Sequence, residues 1–90
     1  MTTKIELKII NERGLHARAS AKFAATVDSF HSLVEVSKDN LVVPGNSIMG
    51  LLTLAADKGS VISIKIKGDD EKDLEEELKK LISNYFGEGG

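Results

Sequence analysis

A chain of 90 residues, 41% hydrophobic and 29% charged, describes one small globular domain spanning 1–90, too short for two cores or a large buried catalytic cavity. With 12 basic and 14 acidic side chains the net charge is −2, and Lys and Arg are scattered rather than striped, which excludes the footprint of a nucleic-acid binder. The absence of cysteine removes disulfides, thiol catalysis and thiolate metal sites, and suits a reducing cytoplasm.

From Lys4 to Ile10 the residues alternate, with Ile5, Leu7 and Ile9 on one face and Glu6 and Lys8 on the other, the period of a half-buried strand. Asn11, Glu12, Arg13 and Gly14 break the pattern. From Ala17 to about Asp28 the apolar positions Ala21, Phe23, Ala24 and Val27 take helical spacing, which predicts a helix packed by one side onto a sheet. Leu33 to Ser37 and Leu41 to Val43 read as two strands of a hairpin, joined through the turn-forming Lys38, Asp39 and Asn40. Pro44 and Gly45 end the hairpin, and Asn46 or Ser47 can cap a short helix through Ile48, Met49, Leu51 and Leu52. After Gly59, Ile62, Ile64 and Ile66 alternate with Ser63, Lys65 and Lys67. Gly68 then turns the chain into a last helix whose apolar stripe is Leu74, Leu78, Leu81, Ile82 and Tyr85. Its acidic run, Asp69 to Glu77, is expected to be a solvated face that suits the helix dipole, and the chain is expected to fray from Gly87. The order is βαββαβα. One polar face on each strand implies an α+β fold with an antiparallel or mixed sheet and helices on a single side.

Several chemistries lack their residues. Neither G-x-x-x-x-G-K-[ST] nor G-x-G-x-x-G occurs, so no nucleotide cradle is expected. His16 and His31 form no H-E-x-x-H pair, the acidic run lacks the glycine of a calcium loop, and no G-x-S-x-G elbow is present. No cofactor and no metal are therefore expected. The longest apolar stretch, Ile48 to Ala56, is broken by Gly50 and Thr53 and is short of the ~20 residues a membrane span needs. Thr2, Thr3 and Lys4 lead directly into the first strand, so no secretory leader is expected.

What remains is Gly14-Leu15-His16-Ala17-Arg18, which places a histidine where a loop meets a helix. Taken alone, such a histidine is usually a surface cap, and an arginine beside it a solvated residue or a partner for Glu12. Together they have a chemistry. Imidazole is a nucleophile near neutral pH, and a phosphoryl group on His16 would meet the free N–H groups of a helix start. Arg18, in the first turn, can pair with phosphoryl oxygens, and Lys22 and Arg13 can add weaker positive charge. With no nucleotide or metal site, the phosphoryl donor must be a protein.

The run Gly-Leu-His-Ala-Arg ahead of an alanine-rich helix resembles the active-site segment of the HPr family, the histidine-containing phosphocarriers of the bacterial phosphotransferase system. Asn46-Ser47-Ile48-Met49-Gly50 followed by Leu51-Leu52-Thr53-Leu54 is similar to the family's regulatory-serine segment and short second helix. Length, element order and the positions of Gly59 and Gly68 extend the likeness over nearly the whole chain. The resemblance implies an open-faced β-sandwich, with a four-stranded antiparallel sheet and three helices on one face. It implies a cytoplasmic carrier, not an enzyme, that accepts phosphoryl from enzyme I, charged by phosphoenolpyruvate, and passes it to a IIA domain. His16 would be phosphorylated on Nδ1, assisted by Arg18. The family often has proline after that arginine, where this chain has Ala19, so the first turn is less constrained. The run from His16 to Phe23 is similar to alphaproteobacterial members that serve nitrogen-linked regulation, which leaves sugar uptake and regulation both open.

Ser47 reads first as a helix cap; the resemblance adds a switch, phosphorylated by a dedicated HPr kinase/phosphorylase. The short helix has more apolar residues than one buried stripe needs, and the resemblance makes Ile48, Met49 and Leu52 the patch that meets enzyme I and IIA, against ordinary core packing for each. His31 reads as structural. A monomer is expected, with no nucleic-acid or membrane partner. Two other readings are open: a relative that regulates by binding alone through the Ser47 face, and an acylphosphatase-like phosphohydrolase, whose glycine-rich loop ending in phenylalanine-arginine is missing here.

Overall fold

The computed structural model describes residues 2–88. The elements are β1 (Thr2–Lys8), α1 (Ala17–Asp28), β2 (Leu33–Lys38), β3 (Leu41–Pro44), α2 (Ile48–Thr53), β4 (Val61–Lys67) and α3 (Glu71–Ser83), closed by a 3-10 turn at Tyr85–Gly87. The sheet is antiparallel throughout, in the order β1-β4-β2-β3. This is the βαββαβα open-faced sandwich expected from the sequence.

β4 lies inside the sheet, and its alternation is the sharpest: Ile62, Ile64 and Ile66 are buried, while Lys65 and Lys67 face solvent. Val34 and Val36 of β2 join them on the inner face. Over that face lie the buried stripes Ala19, Phe23, Ala24 and Val27 of α1 and Leu74, Leu78 and Ile82 of α3, with Leu51 from α2. Each large aliphatic side chain removed from water contributes about 1.5–3 kcal/mol, and these contacts offset the ordering of the backbone. The small alanines of α1 let the helix sit close.

β1 begins at Thr2, two residues before the alternation suggests, and ends at Lys8. Thr2 and Thr3 pair with Lys67 and Ile66, and the buried Thr3 hydroxyl donates to the buried Glu71 carboxylate. Ile9 leaves the ladder, although its N–H still donates to Ser60 O at 2.8 Å.

Asp69, Asp73, Glu76 and Glu77 are exposed, as expected of a solvated face, but the start of α3 departs from it at Asp70 and Glu71. Besides the buried Glu71, Asp70 accepts from the N–H groups of His31 (2.7 Å) and Ser32 (3.0 Å) and from the Ser32 hydroxyl, tying α3 to the turn before β2. The His31 N–H and the Ser32 hydroxyl are the main causes that hold the Asp70 carboxyl below its ordinary value, against burial. A carboxyl lowered in the folded state stabilises the fold above the unfolded value of about 3.9, and that stability is lost as pH falls through the lower folded value. Asp70→Asn is therefore expected to lower Tm at neutral pH and to flatten its fall below about pH 4, as thermal melts across acid pH will show.

The apolar stripe of α3 stops at Ile82. Tyr85 and Phe86 both adopt left-handed backbone, φ 56° and 53°, and this reversal buries Phe86 completely while Tyr85 stays 38% exposed. Lys22 Nζ donates to Phe86 O at 2.6 Å. Fraying from Gly87 is not what the structure shows for residues 87 and 88: Glu88 is held in contacts described below, and residues 89 and 90 lie outside the described residues.

Candidate functional site

The loop from β1 to α1 is built around Asn11 and Gly14. Gly14 has φ +65°, and a Cβ there would stand 2.5 Å from Ala56 O and 2.8 Å from Asp57 Cα. The next residue, Leu15, donates its N–H to Ala56 O at 2.8 Å, which fixes the loop to the exit of α2. His16 follows in extended conformation as the N-cap of α1: its carbonyl accepts from Ser20 N–H at 2.8 Å, and its Nδ1 accepts from Arg18 N–H at 3.3 Å. That long contact to one of the unpaired donors of a helix start leaves Nδ1 available to another group.

Nε2 faces the Glu88 carboxylate, a contact across 72 positions of sequence, with the imidazole only partly exposed. Asn11, wholly buried, donates from Nδ2 to Gly14 O (2.8 Å) and to Glu88 Oε1 (2.9 Å). Burial pushes the Glu88 carboxyl upward, but hydrogen bonds from Asn11 and His16 and the nearby charge of Arg13 hold it below its ordinary value. Glu88 is therefore a carboxylate at neutral pH. An open depression beside it, about 440 Å³, is lined by Glu12, Arg13, Arg18, Gly87 and Glu88.

The structure thus brings His16, Arg18 and Arg13 together. Arg18 is exposed and forms no ion pair among the described residues; Glu12, its candidate partner, binds Lys58 Nζ at 2.7 Å. Lys22 is occupied by Phe86 O and not by the site. Ala19, in the position of the family's proline, is fully buried in the first turn of α1.

Ser47 is the N-cap of α2, its Oγ accepting from Gly50 N–H at 3.0 Å; of the two candidate caps, Asn46 instead donates to Asp28 Oδ1 at 3.1 Å. Because Asn46 touches the end of α1 and Ala56 touches the loop at its start, α2 runs antiparallel to α1. Ser47 thus lies towards the far end of α1 from His16. Between them α2 exposes Met49 (73%) and Ile48 (43%), with Leu52 half-buried and Leu51 in the core.

The family model for the PTS HPr component phosphorylation site matches residues 3–84. The chain belongs to the HPr family. It is 51% identical over 86 residues to the phosphocarrier protein HPr of Neisseria meningitidis serogroup A, covering 96% of this chain and 97% of that protein. With the HPr of Cupriavidus necator it shares 46% over 81 residues, 90% and 91% of the two chains. Among solved structures, HPr-C-His from Thermoanaerobacter tengcongensis superposes with a TM-score of 0.91 at 40% identity, covering 96% and 97%. The chain is therefore an HPr phosphocarrier of the phosphotransferase system, a covalent carrier rather than a turnover enzyme.

Glu88 and Asn11 are the residues that sequence reading misses. Asn11 looks like a loop breaker, and Glu88, between glycines, has no periodic context. The only signal at Glu88 is a charge close to the end of a helix, which does not say where that end folds back.

Proposed function

We propose that this HPr accepts a phosphoryl group on Nδ1 of His16 from phosphorylated enzyme I and passes it to a IIA domain. The observation that carries the reading is the placement of His16 as the cap of α1, with Nδ1 on the helix donors and Arg18 beside it. When Nδ1 is phosphorylated, the Arg18 N–H and the other free donors of the first turn become donors to phosphoryl oxygens, and the Arg18 guanidinium offsets their charge. The chain acts as one domain and as a monomer. Its edge strands fit that reading, since β1 carries Lys4, Glu6 and Lys8 on its outer face and β3 is short and ends in Pro44. No helix among the described residues is long and apolar enough to cross a membrane; the setting of this reading is a cytoplasmic carrier serving either sugar uptake or nitrogen-linked regulation.

The deciding experiment is incubation with phosphoenolpyruvate and enzyme I, with intact mass read before and after brief acid. A phosphoryl adduct that is acid-labile and missing from His16→Ala is expected. No adduct with an enzyme I that charges another HPr would overturn the carrier reading and favour a regulator that works by binding alone.

Ser47 is the regulatory position in this reading, phosphorylated by an HPr kinase/phosphorylase, and Ile48, Met49 and Leu52 form the docking patch. A charge at Ser47, a helix away from His16, acts on the docking of partners and not on the imidazole. Aspartate caps a helix as well as serine, so Ser47→Asp is expected to leave Tm nearly unchanged while raising KM for HPr in charging by enzyme I, with kcat little altered. Unchanged charging would remove the switch.

A further inference from the structure

We propose that Glu88 is the positioning residue of the accepting imidazole: it holds the Nε2 proton, leaves Nδ1 as the free nucleophile, and balances the cation that forms on phosphorylation. The inference rests on His16 being the carrier site. A neutral imidazole has one N–H and one lone pair, and the two contacts of His16 assign them without conflict. Nδ1 accepts from Arg18 N–H and so carries the lone pair; Nε2 faces a carboxylate, which can only accept, and so carries the proton.

The carboxylate is itself held. Asn11 is buried and places both Nδ2 hydrogens, one on Gly14 O and one on Glu88 Oε1, while its own Oδ1 is buried with no hydrogen-bond partner among the described residues. That orientation leaves Glu88 Oε2 for His16. The chain reaches this place because Phe86 is buried and Lys22 binds its carbonyl.

The transfer balances with no proton leaving His16. The donor is a phosphohistidine whose second ring nitrogen is protonated, a bond of the same class as the product, as a readily reversible transfer needs. Its N–P bond breaks, the bonding pair returns to the donor nitrogen, and the Nδ1 lone pair forms the new P–N bond. The donor ring ends neutral, and His16 becomes a phosphoimidazolium that keeps its Nε2 proton. Glu88 meets that positive charge, so its contact is stronger in the product, and in the transition state leading to it, than in the resting ring.

Glu88→Gln keeps size and loses charge, and Glu88→Asp keeps charge. With a small molar excess of phospho-enzyme I, the Gln variant is expected to charge roughly 10- to 100-fold more slowly, the range seen when the partner that orients a metal-bound imidazole is removed, and the Asp variant to recover part of the rate. In 15N spectra of the uncharged protein at alkaline pH, where an imidazole is neutral, the two His16 ring nitrogens are expected to be widely separated in the wild type and closer together in Glu88→Gln, a change that a purely structural role would not produce. Equal rates and equal ring spectra for wild type and Glu88→Gln would overturn the proposal while leaving the carrier reading intact. An uncharged wild type would instead defeat the carrier reading, and this proposal with it.

Discussion

Gly14→Ala is expected to cost roughly 2–5 kcal/mol, combining about 1–2 kcal/mol for left-handed backbone with about 1–3 kcal/mol for forcing atoms into filled space. The obstacle is backbone, Ala56 O at 2.5 Å and Asp57 Cα at 2.8 Å from the new Cβ, and no rotamer change can relieve it. Gly59 offers the control: its φ is +92°, but a Cβ there meets nothing within 4 Å, so Gly59→Ala pays the conformational term alone. Thermal melts should place Gly14→Ala well below Gly59→Ala, at roughly 4–8 °C per kcal/mol in a domain of this size. Charging of His16 should fall as well, because Leu15 and His16 follow the glycine directly and Leu15 N–H is bonded to the same Ala56 carbonyl. A Gly14→Ala protein with the melting point of Gly59→Ala would show that the loop moves away from Ala56 at little cost.

Phe86→Ala is expected to lose about 3–5 kcal/mol, the usual result of emptying a buried aromatic site. Phe86 is fully buried although it lies beyond the end of α3, and it holds the segment that ends in Glu88. The variant should therefore lose stability in denaturant and also show the His16 ring spectrum of Glu88→Gln. Tyr85→Asn separates the two residues: Tyr85 is also left-handed but partly exposed, and asparagine tolerates that backbone, so little stability should change. A loss at Tyr85 equal to that at Phe86 would assign the anchor to the turn and not to the buried ring.

Periodicity is a local signal, and the parts of the molecule decided locally were legible. The bounds of α1, the hairpin, the cap at Ser47 and the alternation in β4 follow from neighbours a few residues apart, and the structure agrees with each. Where the outcome depends on a distant partner the reading failed. Thr2 and Thr3 look like a polar lead-in, but Lys67 and Ile66 draw them into the sheet. Tyr85 continues the spacing of α3, but two left-handed residues bring Phe86 into the core in its place. Asp70 and Glu71 read as solvated charges because Ser32 and Thr3, 38 and 68 positions away, are invisible to any window. For the site, His16 and Arg18 were legible as a motif, while the carboxylate on the far side of the ring was not.

The pairing of β1 with β4 sets the order in which the molecule can be completed. Thr2 lies opposite Lys67, so β1 has no partner until β4 has been made. Contacts so far apart in sequence slow folding, because the loop between them must close before they contribute anything. The surroundings of His16 wait longer still, for the arrival of Glu88. A chain that lacked α3 and the turn after it would hold every strand of the sheet and an unfinished carrier, so the histidine should reach full chemical competence only once Glu88 is in place.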